Sequence, residues 1–170
     1  SPTFLEPINQ LALLMIADGT ADAAAARVKK QIDMAPPSAA LYDLLGLVHS
    51  TRNDAAAAEA AFIKATQIDP RLPDPHVRLA ELYIVGGKYD EALMHALETL
   101  KLDPNNTRAM MTAGTVYQQR GDFAKARDAY QNLLKLSPRD AGAANNLAVL
   151  LSEQSNELDS ALKYATLAQQ

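Results

Sequence analysis

The sequence predicts an all-α chain built as a stack of helical hairpins. Three observations carry that prediction. Pro36, Pro70, Pro104 and Pro138 recur every 34 residues, the last three within similar stretches: "QIDPRL" at 67–72, "KLDPNN" at 101–106 and "KLSPRD" at 135–140. Between the prolines, apolar residues recur at helical spacing, interrupted once per period by a short polar break. The composition is 48% hydrophobic but only 5% aromatic, with runs such as Ala55–Ala58. Alanine is the best helix former and the smallest side chain that still packs, so the helices are expected to approach closely.

Aligning on the prolines divides the 170 residues into five units. The first, Leu5–Ser38, places Ile8, Leu11, Ala12 and Met15 before the break "DGT" at Asp18, then Ala24 and Val28. The second, Ala39–Leu72, has Tyr42, Leu45 and Gly46, the break "RND" at Arg52, then Ala58, Phe62 and Ala65. In the third, Pro73–Asn106, the slots hold His76, Leu79, Ala80 and Tyr83, then "GGK" at Gly86, then Ala92 and Ala96. The fourth, Thr107–Asp140, has Met110, Ala113, Gly114 and Tyr117, "RGD" at Arg120, then Ala126 and Tyr130. The fifth runs from Ala141 to Gln170 with its break, "QSN", at Gln154. It carries one extra residue in "SEQSNELDSAL", which moves Ala161 one place late and lengthens the turn around Ser155-Asn156. Gly and Asn tolerate the left-handed conformation that ends a helix, and Asp or Asn caps the next one. Each proline then closes a hairpin, because it lacks the N–H and pushes the preceding residue out of helical conformation. A Gly or Ala beside each apolar stripe marks where a second helix comes near.

With its 34-residue period and its aromatic, Leu-Gly, Tyr, Ala, Phe and Pro slots, the sequence resembles the tetratricopeptide repeat (TPR) family over essentially its whole length. The resemblance implies a right-handed superhelical solenoid of ten helices, with the first helix of each hairpin lining a concave groove. Two departures stand out. The tryptophan-like slot is nowhere Trp, and Ile8 and Ala144 fill it with small side chains, so the terminal units are expected to pack loosely. The last unit also lacks the polar capping helix that repeat arrays use. Leu158, Leu162 and Leu167 are expected to leave an apolar surface there, as in a fragment of a longer array or a surface that pairs with another chain.

The composition speaks against several functions. A formal charge of −4 and dispersed Lys and Arg do not make the basic face that nucleic acid requires. No apolar run is long enough to span a bilayer. With no Cys, disulfides, thiolate zinc sites and cysteine nucleophiles are excluded, while cytosol and periplasm both stay open. No targeting segment is visible. His49 and His76 fall in packing slots of neighbouring units and, with Asp74, are the residues a metal would draw on; packing is the expected role. His95 is expected on an outer helix in solvent. "GGK" lacks the strand and longer glycine pattern of a phosphate loop, and "RGD" is a helix break. The expectation is a scaffold with no enzymatic activity, cofactor or metal.

Helical spacing then sets the groove face, which the resemblance implies is the peptide-binding one. It comprises Asn9, Gln10 and Leu13; Asp43, Leu44, Leu47 and Ser50; Val77, Arg78, Glu81 and Ile84; Arg108, Met111, Thr112, Thr115 and Gln118; and Asn145, Asn146 and Val149. Met supplies adaptable apolar area, Arg a forked donor for carboxylates, and Asn amides for a peptide backbone. A partner segment that is extended or helical, partly apolar and acidic suits this mixture. The slots matching a chaperone-tail carboxylate clamp hold Asn9, Leu13, Leu44, Asp74 and Arg78, not its Lys and Asn set, so chaperone tails are not expected. The alternative is a module of assembly that self-associates through the C-terminal end. The tail from Asn145 also resembles bacterial TPR proteins of cell-envelope assembly and exopolysaccharide export.

Overall fold

A computed structural model of the protein describes residues 5–155 and 157–169. Among these, ten α-helices occur: α1 Leu5–Ala17, α2 Ala21–Met34, α3 Ala39–Thr51, α4 Ala55–Ile68, α5 Pro73–Val85, α6 Tyr89–Leu102, α7 Thr107–Gln119, α8 Phe123–Leu136, α9 Ala141–Leu150 and α10 Leu158–Leu167. The starts of α3, α5, α7 and α9 are each 34 residues apart.

The turn inside each hairpin has one physical design. Gly19, Asn53, Gly87 and Gly121, again 34 apart, have φ of 74°, 56°, 69° and 75°. That left-handed residue lets the next N–H reach five residues back, from Thr20 to Met15, Asp54 to His49, Lys88 to Tyr83 and Asp122 to Tyr117, at 2.8–3.0 Å. In the last hairpin the equivalent bond runs from Glu157 to Leu151, six residues back, at 3.1 Å. A π-helical turn, Leu151–Ser155, absorbs the extra residue there. Asn156 lies outside the described residues. Between hairpins, Ala35, Asp69, Asp103 and Ser137, each just before a proline, leave helical geometry at φ −113° to −136°.

The chain divides into two compact units, Ser1–Leu82 and Tyr83–Gln170. In the first, α1 packs on α2, α2 on α3 and α3 on α4. Its core gathers Ile8, Ala12, Val28, Leu41, Leu45 and Val48. In the second, α6 packs on α7, α7 on α8, α8 on α9 and α9 on α10, around Tyr130, Leu133, Leu147, Leu150 and Leu151. Ile8 and Ala144 are both buried in these cores, contrary to the loose packing expected of small residues in their slots. Their neighbours close the gap: Ile8 shares a cluster with Val28 and Leu41, and Ala144 one with Tyr130 and Leu147.

In each unit a close helix–helix approach follows from a glycine facing an aromatic ring. A Cβ added at Gly46 would overlap the Phe62 ring, and one at Gly114 would lie 2.6 Å from Cε1 of Tyr130. The same two hairpins share further devices. Asp54 and Asp122 cap α4 and α8 through their side chains, whereas Thr20 and Lys88 make no such bond. Arg52 pairs with Asp22 at 2.7 Å, and Arg120 pairs with Asp90, which ties each turn to the hairpin before it. Glycine–aromatic packing, acidic cap and arginine staple thus recur together at 68 residues, twice the basic period.

Candidate functional site

In the second unit, the sequence places Met111, Thr115 and Gln118 at i, i+4 and i+7 of α7, on one helical stripe. The structure brings Asn146 of α9 against that stripe, with its amide nitrogen 3.6 Å from Sδ of Met111. Tyr130 approaches from α8. Its ring is fully buried against Gly114, and its hydroxyl donates to Oε1 of Gln118 at 3.0 Å. Burial raises the pKa of the phenol, and the neighbouring polar side chains of Thr115 and Asn146 hold that rise back. The result is a neutral patch of amide, hydroxyl and thioether groups, with Arg108 and Asn145 exposed beside it in sequence. Thr112 is buried and does not belong to the accessible part of this face.

The first unit has the charged counterpart. Nε of Arg78 on α5 donates to Oδ1 of Asp43 on α3 at 3.0 Å, with both side chains mostly buried. This pair and Met111–Asn146 occupy the same two slots: residue x of one first helix meets residue x+35 of the next. Leu47, Ser50 and Glu81 are half-buried, Asn9 is half-buried on α1, and Leu13 is exposed. Leu44 and Val77 are buried and serve packing. Arg78, expected to meet a ligand carboxylate, already holds one from its own chain.

The family follows from comparison with known proteins. Residues 51–109 and 111–170 each match a family model described as Tetratricopeptide repeat. The chain belongs to the tetratricopeptide repeat family. Among relatives of this TPR chain, Anaphase-promoting complex subunit 3 of Schizosaccharomyces pombe is 26% identical over 124 residues. That match takes in 73% of this chain and 19% of the relative, so the chain spans about a fifth of the relative's length. Among solved structures, PilF of Pseudomonas aeruginosa superposes with a TM-score of 0.88 at 24% identity, covering 97% of this chain and 75% of that one. YrrB, described as a TPR protein with an unusual peptide-binding site, gives 0.76 at 21% identity, covering 95% and 83%. The fold is therefore the all-α TPR solenoid, and the chain belongs to a class of protein–protein interaction scaffolds.

The three histidines of the TPR chain are buried or half-buried. His49 is buried, with Nδ1 3.3 Å from Nη1 of Arg52 and 3.6 Å from Oδ2 of Asp54. Burial, and then the charge of Lys29, pushes its pKa down. Nε2 of His76 lies 3.2 Å from the Pro70 carbonyl. His95 corrects the expectation of a solvated ring: it is half-buried and stacks on Tyr83, centroids 5.6 Å apart. Among the described residues, no cluster of three or more His, Asp or Glu is placed to hold a metal, and no helix is long and apolar enough to cross a membrane. A separate hollow of about 390 Å³ opens over α7 between α6 and α8, floored by Leu97, Leu100, Met110 and Tyr117. None of the predicted face residues lines it.

Sequence reasoning missed the Tyr130 hydroxyl as part of the face. The signal was present: Phe62 occupies the same slot two periods earlier, so the added hydroxyl of Tyr130 needs a polar partner when buried. It also missed the pairing of Asp43 with Arg78, although opposite charges one period plus one residue apart sit at neighbouring slots of consecutive first helices.

Proposed function

We propose that the first-helix face of this TPR chain binds a segment of a protein partner, and that the patch around Asn146 is the part that holds the segment's backbone. The observation supporting this reading is the polar group formed by Met111, Thr115, Gln118, Asn146 and the Tyr130 hydroxyl. A buried phenol and a back-bonded threonine, whose hydroxyl donates to the Met111 carbonyl at 3.0 Å, hold their neighbours in place. The amides of Gln118 and Asn146 offer donors and acceptors that suit peptide groups. Met111 supplies deformable apolar area for a side chain. Arg108 and Asn145 flank this patch in the second unit; in the first unit, Asn9, Asp43, Leu47, Arg78 and Glu81 lie on a first-helix face of their own. The peptide-binding site described for YrrB is in keeping with this reading.

Affinity is expected near micromolar, about −8 kcal/mol, because ordering a flexible segment offsets much of the contact energy. The test is fluorescence anisotropy against a library of partly apolar, acidic peptides. For any hit, Asn146→Ala and Gln118→Ala should weaken binding about tenfold, while Lys64→Ala on the exposed side of α4 leaves it unchanged. A hit that binds both α7–α9 variants as tightly as the parent would place binding elsewhere.

A further inference from the structure

Among the exposed leucines expected on the last helix, Leu158 and Leu162 are exposed, whereas Leu167 packs against the core of its own unit, which corrects the expectation that it too faces outward. Leu97 is of another kind. It lies on α6, inside the run of helices, and lines the hollow of about 390 Å³ between α6 and α8 while 38% exposed. The repeat explains why a hollow forms there. Ala113, which also lines it, occupies a slot that the four other hairpins fill with Leu11, Leu45, Leu79 and Leu147. The last three are buried. What this place lacks is therefore the branched end of a leucine.

The first unit shows the same place filled. There, 68 residues earlier, Leu100, Ala113 and Ala129 of the hollow correspond to Ile32, Leu45 and Ala61, which pack in one cluster. Where Leu97 stands, the first unit has Lys29. The second unit has thus lost a leucine below and gained one at the partly exposed wall. Both changes favour an apolar cavity open to the outside, and its volume is ordinary for a binding site. The following hairpin does not cover it, since α9 is already seated on α8. Two charged side chains of α8 also line it, where the first unit has Ala57 and Ala60. Nζ of Lys125 donates to Asp122 at 2.6 Å and lies 5.3 Å from the centre of the Tyr117 ring, so its charge is met within the chain. Asp128 is exposed and pairs with no described residue. The open charge at the hollow is negative.

We propose that the hollow takes a leucine-like side chain from a segment of a protein partner, with a lysine or arginine of the same segment against Asp128. An aliphatic side chain is the group the repeat places in this space elsewhere, and the uncompensated carboxylate selects a cation beside it. The site is separate from the face around Asn146 and stands or falls without it.

Methyl NMR of the whole chain tests this, with Leu100, Met110 and Ala113 as reporters. The probe is an acetylated, amidated pentapeptide with one leucine flanked on each side by two lysines, titrated to millimolar concentration. The three reporters should shift together and saturate. Exchanging the peptide's leucine for alanine should weaken binding about ten- to a hundredfold, the effect of losing one buried aliphatic side chain. Asp128→Asn should weaken it about two- to fivefold and lessen its dependence on salt. Ala113→Leu should abolish the shifts at Leu100 and Met110 while the chain stays folded, as circular dichroism checks. Should that variant misfold, Leu97→Lys decides: it puts the first unit's residue at an exposed position and should weaken binding about tenfold. Asn146→Ala should leave the shifts unchanged, which separates this site from the first-helix face. Absence of shifts at the three reporters overturns the proposal, as do equal shifts with the alanine peptide. Binding that survives Ala113→Leu or Leu97→Lys in folded protein overturns it too. So does a response to isoamylammonium, the same branched end on a bare amine, at the concentrations where the peptide acts, because the ligand is then a small amine.

Discussion

Replacing Gly114 by alanine puts one methyl group where Tyr130 already sits. The new Cβ would lie 2.6, 2.9 and 3.0 Å from Cε1, Cδ1 and Cζ of the ring, whereas carbon atoms rest at about 3.5–4.0 Å. The ring must retreat by roughly 1 Å, yet it is fully buried and tethered through its hydroxyl to Gln118. Overpacking of this kind costs about 1–3 kcal/mol. Alanine returns about 0.5–1 kcal/mol of helix preference over glycine, so a net loss of about 1–2 kcal/mol is expected. Urea unfolding followed by circular dichroism measures it. Gly142→Ala is the control, since its Cβ would meet only the flexible end of Met111 at 3.2 Å and Asp140 at 3.4 Å. Tyr130→Ala alone should cost about 3–5 kcal/mol, as for other buried aromatics. The double variant should cost less than the sum of the two, because the alanine methyl then enters vacated space. Positions 80 and 96, one period earlier, hold alanine at both slots, so the fold accepts that combination. A neutral or stabilising Gly114→Ala, or strict additivity in the cycle, would falsify the claim that glycine is there to admit the ring.

Asn53 has φ 56° in the turn slot that glycine fills in three other hairpins. Asn53→Gly should therefore be neutral or slightly stabilising, while Asn53→Val should lower stability by about 1–2 kcal/mol, read from urea midpoints. Burial holds the pKa of His49 below its usual value, so the unfolded chain takes up the proton more readily than the folded one. Its contribution to stability is complete above the ordinary histidine range and falls as pH drops through about 6.5 towards the lower folded value; His49→Gln should flatten that slope between pH 8 and 5.5. Asp43→Asn should release Arg78 and tighten binding of acidic peptides severalfold, and an unchanged affinity would remove Arg78 from the recognition face.

The period was legible because it is enforced by backbone chemistry. A left-handed residue and a proline each occupy fixed places, and neither depends on what lies across the core. The helix starts, the turns and the glycine–aromatic approach all follow from residues within one hairpin. Much of what escaped the sequence depends on the step between hairpins. Val77 and Thr112 sit one residue apart on the repeat's helical wheel, next to slots that face outward in other units, and a wheel cannot tell a buried edge from an exposed one. The neighbouring helix decides, and its angle is a tertiary quantity. Arg78 illustrates the consequence. On its own helix it reads as a cation offered to a ligand, but α3 brings Asp43 within 3.0 Å. Any acidic partner must then compete with a carboxylate that is already in place and loses little freedom by staying there. On the proposed reading, recognition around Arg78 is therefore a contest between a peptide carboxylate and the chain's own Asp43.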